Sequence, residues 1–401
     1  MSETSAERAA LPPIAVLSSR RLTIGLYSVG VFLYWLSLYL YVPTLPTYAQ
    51  SKSENLALVG VVLSMYGLWQ AIIRLPLGIA ADWLGWRKPF IIVGITLAGL
   101  GAWVMGVADD VNDLILGRAI TGLGAGTWVP LVAVFSSLFP PQDAVRAAAI
   151  LNLAGQVGRI SATSLTGPLN RMGGYPLAFF LAAGAAAFAI LVVLLAQEKR
   201  RPPQRPSAGH LGHLVTRRDV LLPALLALVS QYANWAATFG FLPVLAKQLG
   251  ATDVTQSLMV STNIAVLMLG NLATTAIVRR IGARALAYLS FTSLSLGIMV
   301  AALAPSLPFL FISQICIGLS QGIGGPVLMG MSIRYVIDAE RTTAMGLHQA
   351  VYAIGMFAGP GLSGVLAESM GLRPMFGMTA FACLALGFLG SKFLREERHK
   401  A

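Results

Sequence analysis

The chain has 401 residues, 56% of them hydrophobic and only 11% charged, with a formal net charge of +12. An ordinary globular domain carries about 25% charged residues, so the composition excludes one. The basic excess sits in short connectors between apolar runs, a pattern of membrane topology that excludes a nucleic-acid-binding face.

The apolar runs are each close to the roughly 20 residues that cross a bilayer. Set against turn residues and charges, they predict twelve spans. These lie near 22–42, 56–80, 89–107, 113–138, 144–169, 175–196, 220–242, 256–278, 284–303, 308–335, 342–367 and 374–393. The first twenty residues are polar or broken by proline, and the first apolar run is a full span, so no cleavable signal is expected. Between the sixth and seventh spans lies a basic stretch with three prolines, too polar to span. The expected organisation is a six-helix bundle at 1–197, a linker at 198–219 and a second six-helix bundle at 220–401. Of the 28 Lys and Arg, twenty fall on the side of the linker and both termini, four on the other side, and four inside spans (Arg74, Arg118, Arg159 and Arg334). That asymmetry predicts a cytoplasmic location for both ends.

The halves echo each other, as in many transporters. Gly85-Trp86-Arg87 returns 197 residues later as Gly282-Ala283-Arg284, Gly122-Leu123-Gly124 as Gly322-Ile323-Gly324, and Gly167-Pro168 as Gly359-Pro360.

Between the second and third spans the chain reads Gly78-Ile79-Ala80-Ala81-Asp82-Trp83-Leu84-Gly85-Trp86-Arg87-Lys88. Gly78 lets two helices approach, Gly85 permits a tight reversal, and Arg87 with Lys88 marks the basic side. Arg74 lies two turns before Asp82 on a similar face. The first span ends in Pro43-x-x-Pro46, and the fourth carries Arg118 followed by Gly122, Gly124 and Gly126. In the eleventh, Gly346, Gly355, Gly359 and Pro360 form a glycine face ending in Gly-Pro, suited to close, bendable helix contact. These stretches resemble the signatures of the major facilitator superfamily, and the likeness runs over essentially the whole chain. Two departures stand out. Trp83 and Trp86 replace basic residues of the loop signature, and the glycine signature usual in the fifth span of proton-driven antiporters sits in the eleventh. The resemblance implies two pseudo-symmetric bundles in an all-α fold that rock about a midplane cavity. The first, fourth, seventh and tenth spans would line the cavity, and the second, fifth, eighth and eleventh would form the interface. It further implies that Asp82 latches the cytoplasmic side through the start of the eleventh helix near Thr342, and that Arg118 takes part in coupling.

Polar residues within spans are candidates for the cavity. Asn152, Gln156, Arg159 and Thr163 make one stripe along the fifth span. A desolvated Arg needs an acceptor or an anion, so this stripe reads either as a substrate contact or as a cap on helix carbonyls. Gln231, Asn234 and Thr238, with Trp235 adjacent, make a similar stripe on the seventh, and Gln314 and Gln321 lie seven apart on the tenth. Exposing such amides to lipid would leave them unsatisfied, which favours cavity lining. His348 could titrate during transport, though a neutral packing residue is the blander reading. All sixteen acids fall in termini, connectors or span ends. Cys316 and Cys383 read as small buried hydrophobes.

The expected function is secondary active transport of a small organic solute by alternating access, with drug or metabolite efflux preferred. The alternative is an uncoupled facilitator or importer of an anionic or sugar-like solute. A membrane-embedded transferase would need an acidic metal- or phosphate-binding cluster, and only Asp109, Asp110 and Asp113 lie close together. With no P-loop, ATP is not the direct energy source. No metal or cofactor is expected, and the expected partners are the solute, a coupling proton at most, and lipid around a monomer in the cell membrane.

Overall fold

A computed structural model describes residues 13–198, 213–337 and 340–394, with side chains throughout except those of residues 13–19, 75, 82, 141, 144, 145 and 342. The described residues are helical, and no strand occurs among them. Eleven helices are long and apolar enough to cross a membrane. The longest, Ala144–Leu195, has 52 residues, about 78 Å at 1.5 Å per residue against a hydrocarbon core of about 30 Å. It loses helical dihedrals at Gly173 and Gly174, where Gly174 takes φ 69°. Read as two passes meeting at that break, it supplies the fifth and sixth spans and brings the number to twelve.

The remaining spans are the first, Pro13–Tyr39; the second, Leu56–Leu84; the third, Lys88–Gly106; and the fourth, Val111–Ala125 continued by Trp128–Ser137. The second bundle holds the seventh, Arg218–Ala236; eighth, Asp253–Ile281; ninth, Ala283–Leu303; tenth, Leu307–Ile333; eleventh, Arg341–Met370; and twelfth, Leu372–Lys392. The seventh passes through a π-turn at Ala237–Phe241 into Leu242–Gln248. The tenth helix ends at Ile333, so Arg334 lies beyond it rather than inside the span as the apolar run suggested. Arg334 instead lines a basic cavity of about 740 Å³ with Arg217, Arg218, Arg284 and Lys392, at the end of the bundle that bears the termini.

Local chemistry explains the ends of these helices. Gly85 and Gly282, the repeated pair, both take positive φ (62° and 89°) and reverse the chain between the second and third spans of each half. Asp110 caps the fourth span by accepting from the N–H groups of Asn112 and Asp113, and Asp113 returns the bond in a capping box. Those N–H donors hold the Asp110 carboxyl below its ordinary range. At the third span, Glu198 accepts from the N–H groups of Arg87 (3.0 Å) and Lys88 (2.7 Å). An anion at a helix N-terminus is the favourable placement, so the first residue of the expected linker serves the bundle before it.

Lipid supplies no hydrophobic drive between helices, so small residues and close backbone approach hold the bundles together. The first span packs on the fifth, the third on the fourth and sixth, the ninth on the tenth and twelfth, and the eighth on the tenth. Two pairs join the bundles: the second with the eleventh and the fifth with the eighth. A Cβ at Gly60 would stand 2.5 Å from the Pro360 carbonyl oxygen, and one at Gly167 would stand 2.6 Å from that of Asp253. Side chains at those positions would force the bundles apart.

Candidate substrate cleft

The end away from the termini is closed by polar contacts between the bundles. Thr47 lies 3.2 Å from Gln256, Asn170 donates to Asp253 at 2.9 Å, and the Leu56 N–H donates to Glu368 at 2.6 Å. Ser257 accepts from the Gly167 N–H at 2.7 Å, and the hydroxyls of Thr163 and Ser261 meet at 2.8 Å. One turn beyond Thr163, toward the end with the termini, stands Arg159.

Arg159 is half-buried, with its guanidinium 3.5 Å from the Trp35 ring centroid and 5.2 Å from that of Tyr39. Such cation–π placement supports a guanidinium in a dry site, and here its Nε finds no acceptor. Trp35 is the hub of an aromatic row. It meets Tyr34, Tyr39 and Trp128 edge-on, and Tyr39 meets Phe239 of the other bundle at 6.0 Å. Phe239 continues to Trp235, which stacks on Tyr66 at 5.4 Å, back in the first bundle. The row therefore crosses from the first span to the seventh and returns to the second.

Two further arginines flank it. Arg74, 6% exposed, donates to the Tyr352 hydroxyl at 2.6 Å across the bundle boundary and lies 5.2 Å from that ring. Arg118, 2% exposed, sits 4.4 Å over the Tyr66 ring with Nε and Nη1 unpartnered. Neither makes an ion pair among the described residues, where the half-buried Arg217–Asp219 bridge at 2.6 Å belongs to the basic cavity instead. The acids of the spans keep to their ends, as with Asp113 and Asp253 in first turns and Glu368 near the end of the eleventh.

Other candidates are distributed as follows. Gln156 shares the fifth-span face of Arg159, half-buried with an unpartnered carbonyl, while Asn152 is exposed. Trp235 belongs to the aromatic row, and Asn234 is buried beside it with its carbonyl oxygen unpartnered. Gln231 donates to Gln321 at 3.1 Å, Gln321 also donates to Ser230 at 3.0 Å, and Thr238 donates to Gln314 at 3.0 Å. These side chains staple the seventh span to the tenth. His348 is buried and shares a 2.7 Å hydrogen bond through Nδ1 with Ser332, inside the second bundle. Gly122 packs on the Tyr66 backbone, Gly124 on Gly94 and Ala98, and Gly126 on Ile73. Gly355 packs on Leu228 and Gly359 on Tyr232, both of the seventh span, whereas nothing stands within 4 Å of a Cβ at Gly346. Of the loop signature, Gly78 touches Val129, and the Lys88 ammonium donates to the carbonyls of Leu194 (2.8 Å) and Ala196 (2.7 Å). The Asp82 and Thr342 side chains, on which the latch rests, lie outside the described residues.

The Arg74–Tyr352 pair, the aromatic hub at Trp35 and the Thr163–Ser261 contact were not singled out as site features from sequence. The signal available for the first was an arginine inside an apolar span, and for the second a first span dense in aromatic residues.

The family model described as Major Facilitator Superfamily matches residues 27–231 and 224–401. The chain belongs to the major facilitator superfamily. It is thus a multi-pass membrane transporter rather than an enzyme. A 136-residue stretch is 33% identical to the inner membrane transport protein YajR of Escherichia coli K12, covering 34% of this chain and 29% of that protein. A 152-residue stretch is 29% identical to MdtD of Escherichia coli strain HS, a protein named for multidrug resistance, over 38% of this chain and 32% of the other. The matched stretches span about a third of the length of these curated relatives. Among solved structures, a bacterial homologue of the human lysosomal transporter Spinster, inward-facing and unoccupied, superimposes with a TM-score of 0.77 at 15% identity, over 93% of this chain and 97% of that one. The nucleoside transporter NupG gives 0.73 at 18% identity, over 93% and 100%. At those identities the likeness is one of fold.

Proposed function

We propose that this transporter moves a small organic solute through the cleft between its bundles by alternating access, in the efflux direction. The observation that carries the reading is the row from Trp35 to Tyr66 by way of Phe239 and Trp235, built from both bundles with Arg159 beside it. A solute seated there touches both rocking bodies, and so senses their relative position. Efflux is supported by the likeness to MdtD, and a cell-membrane location with cytoplasmic termini by the twenty-to-four distribution of basic residues. In that orientation the closure at Thr47–Gln256 and Asn170–Asp253 seals the outer face.

The test is a thermal-shift screen followed by counterflow. A solute that stabilises the purified protein should accumulate transiently in proteoliposomes preloaded with the unlabelled solute. Ligands that stabilise the protein yet never exchange across the bilayer would refute transport through this cleft. Asp82 keeps its proposed role as a latch, and Asp82→Asn should lower turnover much more than affinity.

A further inference from the structure

Around the aromatic row between the bundles, the described side chains carry charge of one sign only. Arg159 reaches it from the fifth span, Arg74 enters from the second, and Arg118 lies behind Tyr66. No carboxylate pairs with any of the three arginines among the described residues. The Nε atoms of all three are buried and lack an acceptor.

A guanidinium in a low-dielectric site is costly unless an anion or a set of acceptors faces it. Aromatic faces recover only part of that cost. A single anion would answer charge and hydrogen-bonding capacity together, which neutral acceptors do not. The walls also specify its body. Trp35, Tyr39, Phe239, Trp235 and Tyr66 form one row of buried rings across the seam between the bundles, so bundles that part there uncover aromatic surface, which a flat apolar body matches best.

From this we infer that the solute is an organic anion with a flat aromatic body, its carboxylate-like group on Arg159 and its ring against the Trp35–Trp235 row. The inference rests on the transport reading above for the meaning of binding, but binding itself can be tested without transport. A cation or a neutral drug would leave the arginines uncompensated, and a cation would also be repelled.

Full-length protein in detergent is titrated at pH 7.5 with four probes: 2-naphthoate, 2-naphthylmethanol, 2-naphthylmethylammonium and acetate. Naphthoate should bind at least tenfold tighter than the other three. Arg159→Gln should reduce the naphthoate preference over naphthylmethanol to less than threefold, and Arg159→Lys should retain part of it, since charge survives while the planar fork is lost. Should Arg159→Gln fail to fold, the ranking of the four probes on the wild type still decides. Equal binding of the three naphthyl probes, preference for the ammonium, or no naphthoate binding overturns the anion assignment. Acetate binding as tightly as naphthoate overturns the aromatic half of it. Naphthoate that binds with the stated preference but shows no counterflow leaves this inference standing and refutes the transport reading instead.

Discussion

Two residues divide the question of coupling between them. His348 is the one group inside a span whose reference pKa, about 6.5, lies in the working range. Its Nδ1 is held by Ser332 within a single bundle, and it is buried. A proton carrier must meet first one side and then the other, and this environment favours neither. An imposed pH gradient should accordingly drive little uphill transport in proteoliposomes, and any accumulation should vanish in His348→Gln. Accumulation that survives the substitution would move attention to Glu54 or Asp113. Tyr352 makes the opposite case, because its hydroxyl accepts from Arg74 across the bundle boundary. Tyr352→Phe removes that acceptor and should cost about 0.6–2 kcal/mol, the range for polar contacts within membranes, read as a lower Tm in detergent. An unchanged Tm would show that Arg74 finds an equal acceptor elsewhere. Sequence pointed to His348 and to Arg74, the partner of Tyr352, as polar groups in apolar runs. It could not say that one faces its own bundle and the other a different one, because periodicity assigns a face and not the neighbour across it.

At the scale of the helix, the glycine signature of the eleventh span resolves into unequal members. Gly355 and Gly359 lie against the seventh-span backbone at Leu228 and Tyr232, whereas Gly346 has open space around it. Gly355→Val should therefore overpack the contact, costing about 1–3 kcal/mol and impairing transport. Gly346→Ala should be neutral or raise stability by about 0.5–1 kcal/mol, the usual gain of Ala over Gly in a helix. Equal effects from the two would mean that the spacing, not the contact, is what the helix requires. The helices themselves were readable as apolar runs, since a span must satisfy its backbone internally and so announces its length. What ran past the sequence was the form of one reversal. The apolar runs at 144–169 and 175–196 are divided by no charged loop, and the break between the two passes rests on the non-helical dihedrals of Gly173 and Gly174. The amides of Gln231, Gln314 and Gln321 carry the same lesson, for they lie on the expected faces yet bond to side chains of the adjacent helix.

For the whole molecule, the decisive matter is whether the closed end opens. Orientation comes first: cysteines introduced at Gln204 and Lys400 should resist an impermeant thiol reagent in intact cells, and labelling of both from outside would reverse the assignment of the two faces. The fifth and eighth spans then offer a lock. Thr163 and Ser261 bring their hydroxyl oxygens to 2.8 Å from opposite bundles, and Gly167 lies against the Val254 backbone just beyond. Rocking about the cleft must separate this pair, because interfaces of packed helices switch between discrete arrangements rather than stretch. The double variant Thr163→Cys/Ser261→Cys, oxidised to a disulfide, should hold that end shut. Counterflow should fall more than tenfold and return on reduction, while a ligand entering from the side of the termini still binds with near wild-type affinity. Those two results together separate a locked transporter from a damaged one. Transport at the wild-type rate with the disulfide fully formed would show that the bundles do not part at this seam. The path would then have to open between the second and eleventh spans, past Gly60 and Pro360.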